Sequence, residues 1–397
     1  METNRRIAVC PARFGPDVVG GAERVLREIG CRLARRGWAV EVLTTCATDH
    51  FRWDNVLAPG TSREFGLPVR RFPAVVDTPG RERADLERTI LAGEPIPVQA
   101  QERWMNDGVR VPALFHHLLD HGATYDVILL GPYPAWTTFA GAQVHPDRTV
   151  LWACLHDEPY LYLDLFQPML SGVAGLLLQT DAEHDLAHAA VPQLAPHEVV
   201  GCGVEVPASY SPERFRAKYG IEGPFVVYAG RREGAKGWED LLAAFTEAHR
   251  RRDLPLQLVT CGAGPVTPPA EIADRVVDLG FLPDADRDDA LAAAAAYVQP
   301  SRYEAFSRTV MEAWLAGTLV IANGGSAVVR QHCERSGAGL VYDDVLELEE
   351  CLAFVAGDAE AASAVARPGR DYVLAHYQWT DVLDRIEKAL DSFMGQE

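Results

Sequence analysis

Lysine is almost missing from this chain. Of 37 basic residues only Lys218, Lys236 and Lys388 are lysines, so arginine is the default cation and a lysine inside a motif carries information. Long apolar runs are missing too, and no stretch approaches the roughly 20 residues that a membrane span requires. Met1 to Arg6 run straight into a strand pattern without a signal-peptide apolar segment, so the expectation is a cytoplasmic protein with no transmembrane segment. Basic excess is absent as well: a formal charge of −19 argues against a nucleic-acid partner. None of the eight cysteines sits in a C-x-x-C pair, and most lie in apolar, strand-like surroundings. They read as buried thiols rather than as a disulfide framework or a zinc site. No G-x-G-x-x-G turn is followed by an acidic residue about 20 positions on, which removes the dehydrogenase reading.

What is present is an ordinary globular composition, 48% hydrophobic and 23% charged, in 397 residues, enough for two domains. Strand and helix patterns alternate from Ile7–Cys10 through a Gly20-Gly21 turn and a helix over 22–36 to Val40–Thr44. Further strands are expected at Val69–Phe72, Val127–Leu130, Val150–Leu155, Gly175–Gln179 and Val199–Val200. Residues 78–110 read as a polar insertion, a candidate mobile segment. The stretch 204–222, rich in proline and glycine at its edges, has a linker's composition. The alternation restarts with Phe225–Ala229, a helix over 238–249, Leu256–Thr260, Arg275–Leu279, and an alanine-rich helix over 288–296. An amphipathic helical pattern closes the chain from Tyr372 to Met394. The expected architecture is α/β, with one doubly wound parallel-sheet domain over 1–203 and another over 223–375. A C-terminal helix, about 376–397, packs back on the first domain. Arg24, Arg27, Arg32, Arg35 and Arg36 cluster on the first helix; their spacing suits a solvated face better than peripheral membrane contact.

Three places carry chemistry. At Pro300–Ala322 a strand ends, a loop follows, Ser307 offers an N-cap, and Gly317 stops the helix. Glu304 and Glu312 flank that helix start, where unpaired N–H groups attract phosphate. Hydroxyls at two ends and phosphates between them are the shape of a nucleotide sugar. The second place is Gly230–Gly237, where Arg231 and Lys236 follow a strand end in a glycine-bearing loop, suited to neutralising a diphosphate leaving group. The third is His156-Asp157-Glu158 just past a strand, where a histidine can meet a sugar hydroxyl and the two carboxylates are candidate acceptor contacts. Asp284-Ala285-Asp286 has the spacing of a metal-binding D-x-D but precedes a helix and reads as capping.

The segments Y-A-G-R-R-E-G-A-K-G and P-S-R-Y-E-A-F-S-R-T-V-M-E-A-W-L-A-G-T-L-V-I-A, with G-G-A-E and H-D-E-P, resemble the retaining glycosyltransferases of the glycogen-synthase-like GT4 class. The resemblance implies a GT-B fold, two Rossmann-like domains facing a cleft, and transfer of a hexosyl group from a UDP-, GDP- or dTDP-sugar to an acceptor hydroxyl without metal or other cofactor. It implies that Arg231 and Lys236 bind the diphosphate, Glu312 the ribose and Glu304 the transferred sugar. Backbone amides around Phe306, Ser307, Arg308 and Thr309 would hold sugar and phosphate, His156 would reach the sugar, and Gly20-Gly21 would cap the diphosphate. Ser307 stands where the family usually has glycine, and Arg308 where it usually has an aliphatic residue. A sugar-nucleotide epimerase or hydrolase and a non-catalytic sugar-nucleotide-binding subunit remain open at this point, as do the acceptor and the oligomeric state.

Overall fold

Short apolar runs buried on both faces become the parallel strands of two sheets. A computed structural model describes residues 5–76 and 81–395. In chain order the elements of the first part are β1 (Arg6–Pro11), α1 (Gly21–Arg35), β2 (Ala39–Thr45), β3 (Gly60–Glu64), β4 (Leu67–Phe72), β5 (Val75–Val76), α2 (Arg81–Leu91) and α3 (Val98–Asn106). They continue with β6 (Val109–Arg110), α4 (Pro112–His121), β7 (Val127–Gly131), α5 (Trp136–Gly141), β8 (Thr149–Trp152), α6 (Gln167–Gly172), β9 (Gly175–Leu178), α7 (Asp181–Ala190) and β10 (His197–Val199). The second part holds α8 (Pro212–Tyr219), β11 (Phe225–Ala229), α9 (Trp238–Arg252), β12 (Gln257–Cys261), β13 (Val276–Asp278), α10 (Asp284–Ala293) and β14 (Ala296–Gln299). After these come α11 (Arg308–Leu315), β15 (Leu319–Asn323), α12 (Ala327–Ser336), β16 (Leu340–Tyr342), α13 (Val345–Gly357), α14 (Ala359–His376) and α15 (Trp379–Phe393).

The chain divides into two units, Met1–Gly201 with Thr380–Glu397, and Cys202–Trp379. The sheet of the first runs β10-β9-β8-β7-β1-β2-β4-β3, parallel except where β3 meets β4. The sheet of the second runs β13-β12-β11-β14-β15-β16 and is parallel throughout. In each, strand order reverses beside the first strand, between β1 and β7 and between β11 and β14. Those reversals are where open α/β sheets receive ligands, at the carboxyl ends of the strands.

Several expectations change. The span 204–222 is not a bare linker: it contains α8, which is fastened to α10 by Ser211 N–H donating to Asp289 (2.7 Å) and by Arg214 and Lys218 at Asp286 (2.9 and 2.6 Å). The D-x-D does not cap α10: both aspartates lie in its first turn, Pro283 is the N-cap and no side chain caps it, and Asp286 instead fastens α8. The insertion is packed rather than loose. Residues 78–80 lie outside the described ones, but Trp104 and Met105 are buried, and the Trp104 ring stacks on Tyr160 at 5.3 Å. The strand expected over Val150–Leu155 stops at Trp152, because Cys154 takes a left-handed backbone (φ 55°). The alanine-rich helix starts at Asp284 instead of 288, and the last helical pattern breaks between His376 and Trp379 into α14 and α15.

α15 packs on the first unit. Its Glu387 accepts from Trp38 Nε1 at 2.8 Å, and its Asp391 pairs with Arg5. Arg36 binds Asp384 at 2.5 Å, while Arg27 and Arg32 face Glu28 at 3.5 and 3.4 Å, so part of the basic cluster is neutralised within its own unit. Among the described residues no helix is long and apolar enough to cross a membrane.

Candidate active site

In the second unit, the loops that follow β11 and β14 leave from adjacent strands at the reversal point. Gly237 lets them touch. Its φ is +70°, and a Cβ built there would stand 2.4 Å from the Pro300 carbonyl oxygen, a contact with backbone that cannot yield. Lys236 then reaches across: its Nζ donates to Glu304 Oε1 at 2.9 Å, and the two side chains are 28% and 12% exposed. Residues 68 positions apart in sequence thus form one ion pair. The neighbouring arginines divide sharply. Arg232 is buried and occupied by Asp278, the carbonyls of Gly262 and Gly264, and Thr260. Arg231 is 38% exposed with Glu233 at 3.1 Å, and its carbonyl is held by the Tyr228 hydroxyl at 2.5 Å.

Ser307 stands before the first turn of α11 but does not cap it. Its backbone is left-handed (φ 63°), and its hydroxyl accepts from Gln299 Nε2 at 2.8 Å. Gln299 is in turn fixed by the Tyr297 hydroxyl at 2.9 Å. A hydroxyl anchored to the end of β14 explains how a serine holds a conformation that normally favours glycine. The helix stop is as expected, with Gly317 at φ +78° and Thr318 N–H donating to the Ala313 carbonyl at 2.9 Å. The Phe306 ring is buried edge-on against His332 and Tyr377 (5.2 and 4.9 Å), so its backbone is what it can offer a ligand. Arg308 and Thr309 occupy the first two positions of α11, where N–H groups have no partner inside the helix.

Glu312 lies between two guanidiniums, Arg287 Nη2 at 3.5 Å and Arg308 Nη2 at 3.6 Å. Burial works against the charge on Arg287, but Glu312 and Asp284 overcome it and hold that guanidinium above its usual range. On Arg308, Nε and Nη1 are buried without a hydrogen-bond partner. Such donors are costly to leave unsatisfied.

In the first unit, Gly20 precedes α1 at the end of the loop from β1, and a Cβ added to Gly21 would meet nothing within 4 Å. The space is open beside Gly21 only; a Cβ on Gly20 would run into the Glu23 carboxylate. His156 is 29% exposed with its Nδ1 3.5 Å from Glu158 Oε1, and Glu158 also accepts from the buried Tyr133 hydroxyl at 2.8 Å. Asp157 accepts from Tyr162 at 2.6 Å, which with burial pushes that phenol up to about 12.

Glu183, which the sequence reading passed over, holds this loop. It is fully buried and accepts from the backbone N–H of Leu155 at 2.7 Å and of Gln179 at 2.5 Å. Burial pushes its carboxyl up to about 8 against the pull of those two donors. The available signal was T-x-x-E at Thr180–Glu183, a capping-box spacing; Thr180 does cap α7, accepting from Glu183 N–H at 3.0 Å. Arg287 carried no motif at all.

The sequence profile of the family described as "Glycosyl transferases group 1" matches residues 223–358, which contain every one of these second-unit elements from β11 to α13. Over 98% of its length the chain is 26% identical to a D-inositol 3-phosphate glycosyltransferase of Saccharomonospora viridis, covering 96% of that enzyme. It is 29% identical to a 2-deoxystreptamine glucosyltransferase of Streptomyces kanamyceticus over 42% of the chain and 49% of that enzyme. Among solved structures, 99% of the chain superposes on all of a sucrose-phosphate synthase from Thermosynechococcus elongatus with TM-score 0.76 and 19% identity. Residues 223–358 are similar to the group 1 glycosyl transferases, and the chain as a whole has the GT-B fold of its structural neighbours. HepE of Anabaena, solved with UDP and glucose, is similar in fold to this chain (TM-score 0.72, 17% identity, 98% and 100% of the two chains).

Proposed function

We propose that this chain is a GT4-like, retaining hexosyltransferase that works without a metal ion. The observation that carries the reading is the Lys236–Glu304 pair at the β11/β14 reversal, beside the start of α11. Arriving diphosphate draws Lys236 and Arg231 to its oxygens, with the first N–H groups of α11 sharing the charge. Glu304, released from Lys236, is left as a carboxylate at the transferred sugar, and Glu312 takes the ribose hydroxyls. The bond from C1 to the phosphate oxygen breaks with its electron pair going to the diphosphate. The acceptor oxygen bonds C1 on the same face, and its proton passes to the departing phosphate oxygen. His156, and Gly20-Gly21 at the start of α1, are assigned to the sugar and the diphosphate from the first unit.

Donors in this reading are UDP-, GDP- or dTDP-hexoses. The acceptor is a hydroxyl on a sugar, a glycan or a glycosylated natural product, with Asp157 and Glu158 as its candidate contacts. The relatives support that class: their names give inositol 3-phosphate and 2-deoxystreptamine, both polyhydroxylated rings, as acceptors.

A melting screen against a nucleotide-sugar panel identifies the donor, because a ligand bound only by the folded state raises Tm. NMR of the product made from that donor then reads the anomeric configuration. The α-linked donor giving an α-linked product, with turnover lowered roughly 10²–10³-fold in Glu304→Ala, is the expected result. An inverted product overturns the mechanism. Donor turnover that needs no acceptor overturns the transferase reading in favour of a hydrolase or epimerase.

A further inference from the structure

Twelve histidines are present in the chain, and three of them, none assigned to the donor, meet on the surface of the first unit. His184 and His188 are four positions apart on α7, hence on one face of it, and His197 begins the edge strand β10. The three offer ring nitrogens that all lie within 4.8 Å of one another. Their ring centroids stand 4.5, 4.9 and 5.2 Å apart. Three imidazoles bound to one tetrahedral ion, with metal–nitrogen bonds of about 2.0–2.1 Å, have nitrogens roughly 3.3 Å apart and ring centres roughly 5 Å apart. His188 Nε2 and His197 Nε2 are 3.2 Å apart, already at that separation. The His184 ligand atom lies within 4.8 Å of both and has to approach them for all three to share one ion.

The outer contacts fit as well. His197 Nδ1 lies 2.9 Å from the Ala195 carbonyl, to which it can only donate, so the lone pair is on Nε2, the atom facing His188. His184 Nδ1 lies 3.1 Å from Asp185 Oδ1, which likewise leaves Nε2 as the ligand atom. Metal-binding histidines characteristically donate their second N–H to a backbone carbonyl or a carboxylate. The connection between the elements is held in place too. Val191 N–H donates to Ala187 (2.9 Å), Ala195 N–H to Leu170 (3.0 Å), and Leu176 N–H to Pro196 (2.9 Å). The spacing between α7 and β10 is therefore set by backbone, not by the imidazoles.

We propose that His184, His188 and His197 bind one divalent transition-metal ion. An all-imidazole donor set selects zinc, copper, nickel or cobalt over magnesium and calcium, which want oxygen. Three protein ligands leave a fourth position for water or for a side chain of another molecule. The ion ties α7 to β10 and so braces the helix whose Glu183 holds the His156 loop. It takes no part in the transfer reaction, and the site stands whether or not the donor assignment above is right.

Calorimetric titration of the full chain, carrying no affinity tag, with zinc chloride tests this. One equivalent bound with a Kd on the order of micromolar is expected, together with a rise in Tm. His188→Ala and His197→Ala each weaken binding by more than about tenfold, whereas His116→Ala, an exposed histidine outside the cluster, does not change it. Cobalt substitution of the wild type gives the visible absorption of a tetrahedral site, and the His188→Ala/His197→Ala double variant loses it. The proposal is overturned if zinc shows no saturable binding, or binds the double variant as tightly as the wild type.

Discussion

The two units each fix a polar strand-end loop with one buried titratable group, and the two groups behave oppositely. In the first unit Glu183, 0% exposed, takes the Leu155 amide just before His156, and burial pushes its carboxyl up to about 8. In the second unit His332, 1% exposed, backs the Phe306 ring, contacts the Tyr372 hydroxyl at 2.9 Å and is driven down to about 3, mainly by burial. Both are neutral between those limits because the interior disfavours charge. The units also differ in how tightly their loops are joined. The second closes two loops over Gly237 with an ion pair on top, while the first leaves open space beside Gly21.

Glycine substitution breaks this contrast most strongly. Gly237→Ala drives a Cβ into the Pro300 carbonyl at a left-handed position and is expected to cost about 2 kcal/mol or more in stability, with loss of donor binding. Gly21→Ala enters empty space at a helix start and is expected to leave stability unchanged or slightly raised, while weakening donor binding if that space receives the diphosphate. Urea unfolding of the two variants compares them directly. Equal destabilisation would remove the distinction between a closed and an open half.

Opposite pH dependence sharpens it. Unfolded, the Glu183 carboxyl ionises near 4.5, but in the fold it stays protonated to about 8. Its contribution is full below 4.5 and is lost as pH rises through 8. His332 protonates near 6.5 when unfolded and near 3 in the fold, so its contribution is full above 6.5 and is lost as pH falls towards 3. Amide exchange, corrected for its intrinsic pH dependence, is expected to show weaker protection around residue 155 on the alkaline side and around residue 306 on the acid side. Glu183→Gln and His332→Phe flatten the respective trends. Profiles unchanged by these variants would mean that neither group supports its loop.

The smallest effect is at Ser307. Ser307→Ala keeps the left-handed backbone but strips the acceptor from Gln299 Nε2, for an expected loss of about 1 kcal/mol; Ser307→Gly loses the same bond but relieves the backbone and falls closer to wild type. Thermal melts that rank the two the other way would contradict the anchored-hydroxyl explanation.

Much of the fold was legible because buried parallel strands such as Phe225–Ala229 and Leu319–Asn323 are near-continuous apolar runs. Strand order was not, since nothing local in β14 says that it pairs with β11. The same limit hides the Lys236–Glu304 pair, whose members were singled out separately but whose contact depends on two loops crossing at Gly237. Helix α8 and the 81–106 helices were missed for another reason. Their sequences are polar and short, and they are stabilised by tertiary contacts, Arg214 and Lys218 to Asp286 and Glu87 to Trp104 and Tyr160, that no periodicity announces. Ser307 shows the limit of residue-type reasoning: a good N-cap residue was placed at the right position but uses its hydroxyl elsewhere.

Titration of wild type, Lys236→Ala and His156→Ala with UDP, GDP or dTDP, whichever raises the melting temperature, tests the division of labour most directly. Lys236→Ala is expected to weaken nucleotide diphosphate binding roughly 10–100-fold. His156→Ala is expected to bind within about a factor of two of wild type, even though its turnover falls. Wild-type affinity in Lys236→Ala, or an equal loss in His156→Ala, would contradict a donor site built at the β11/β14 reversal.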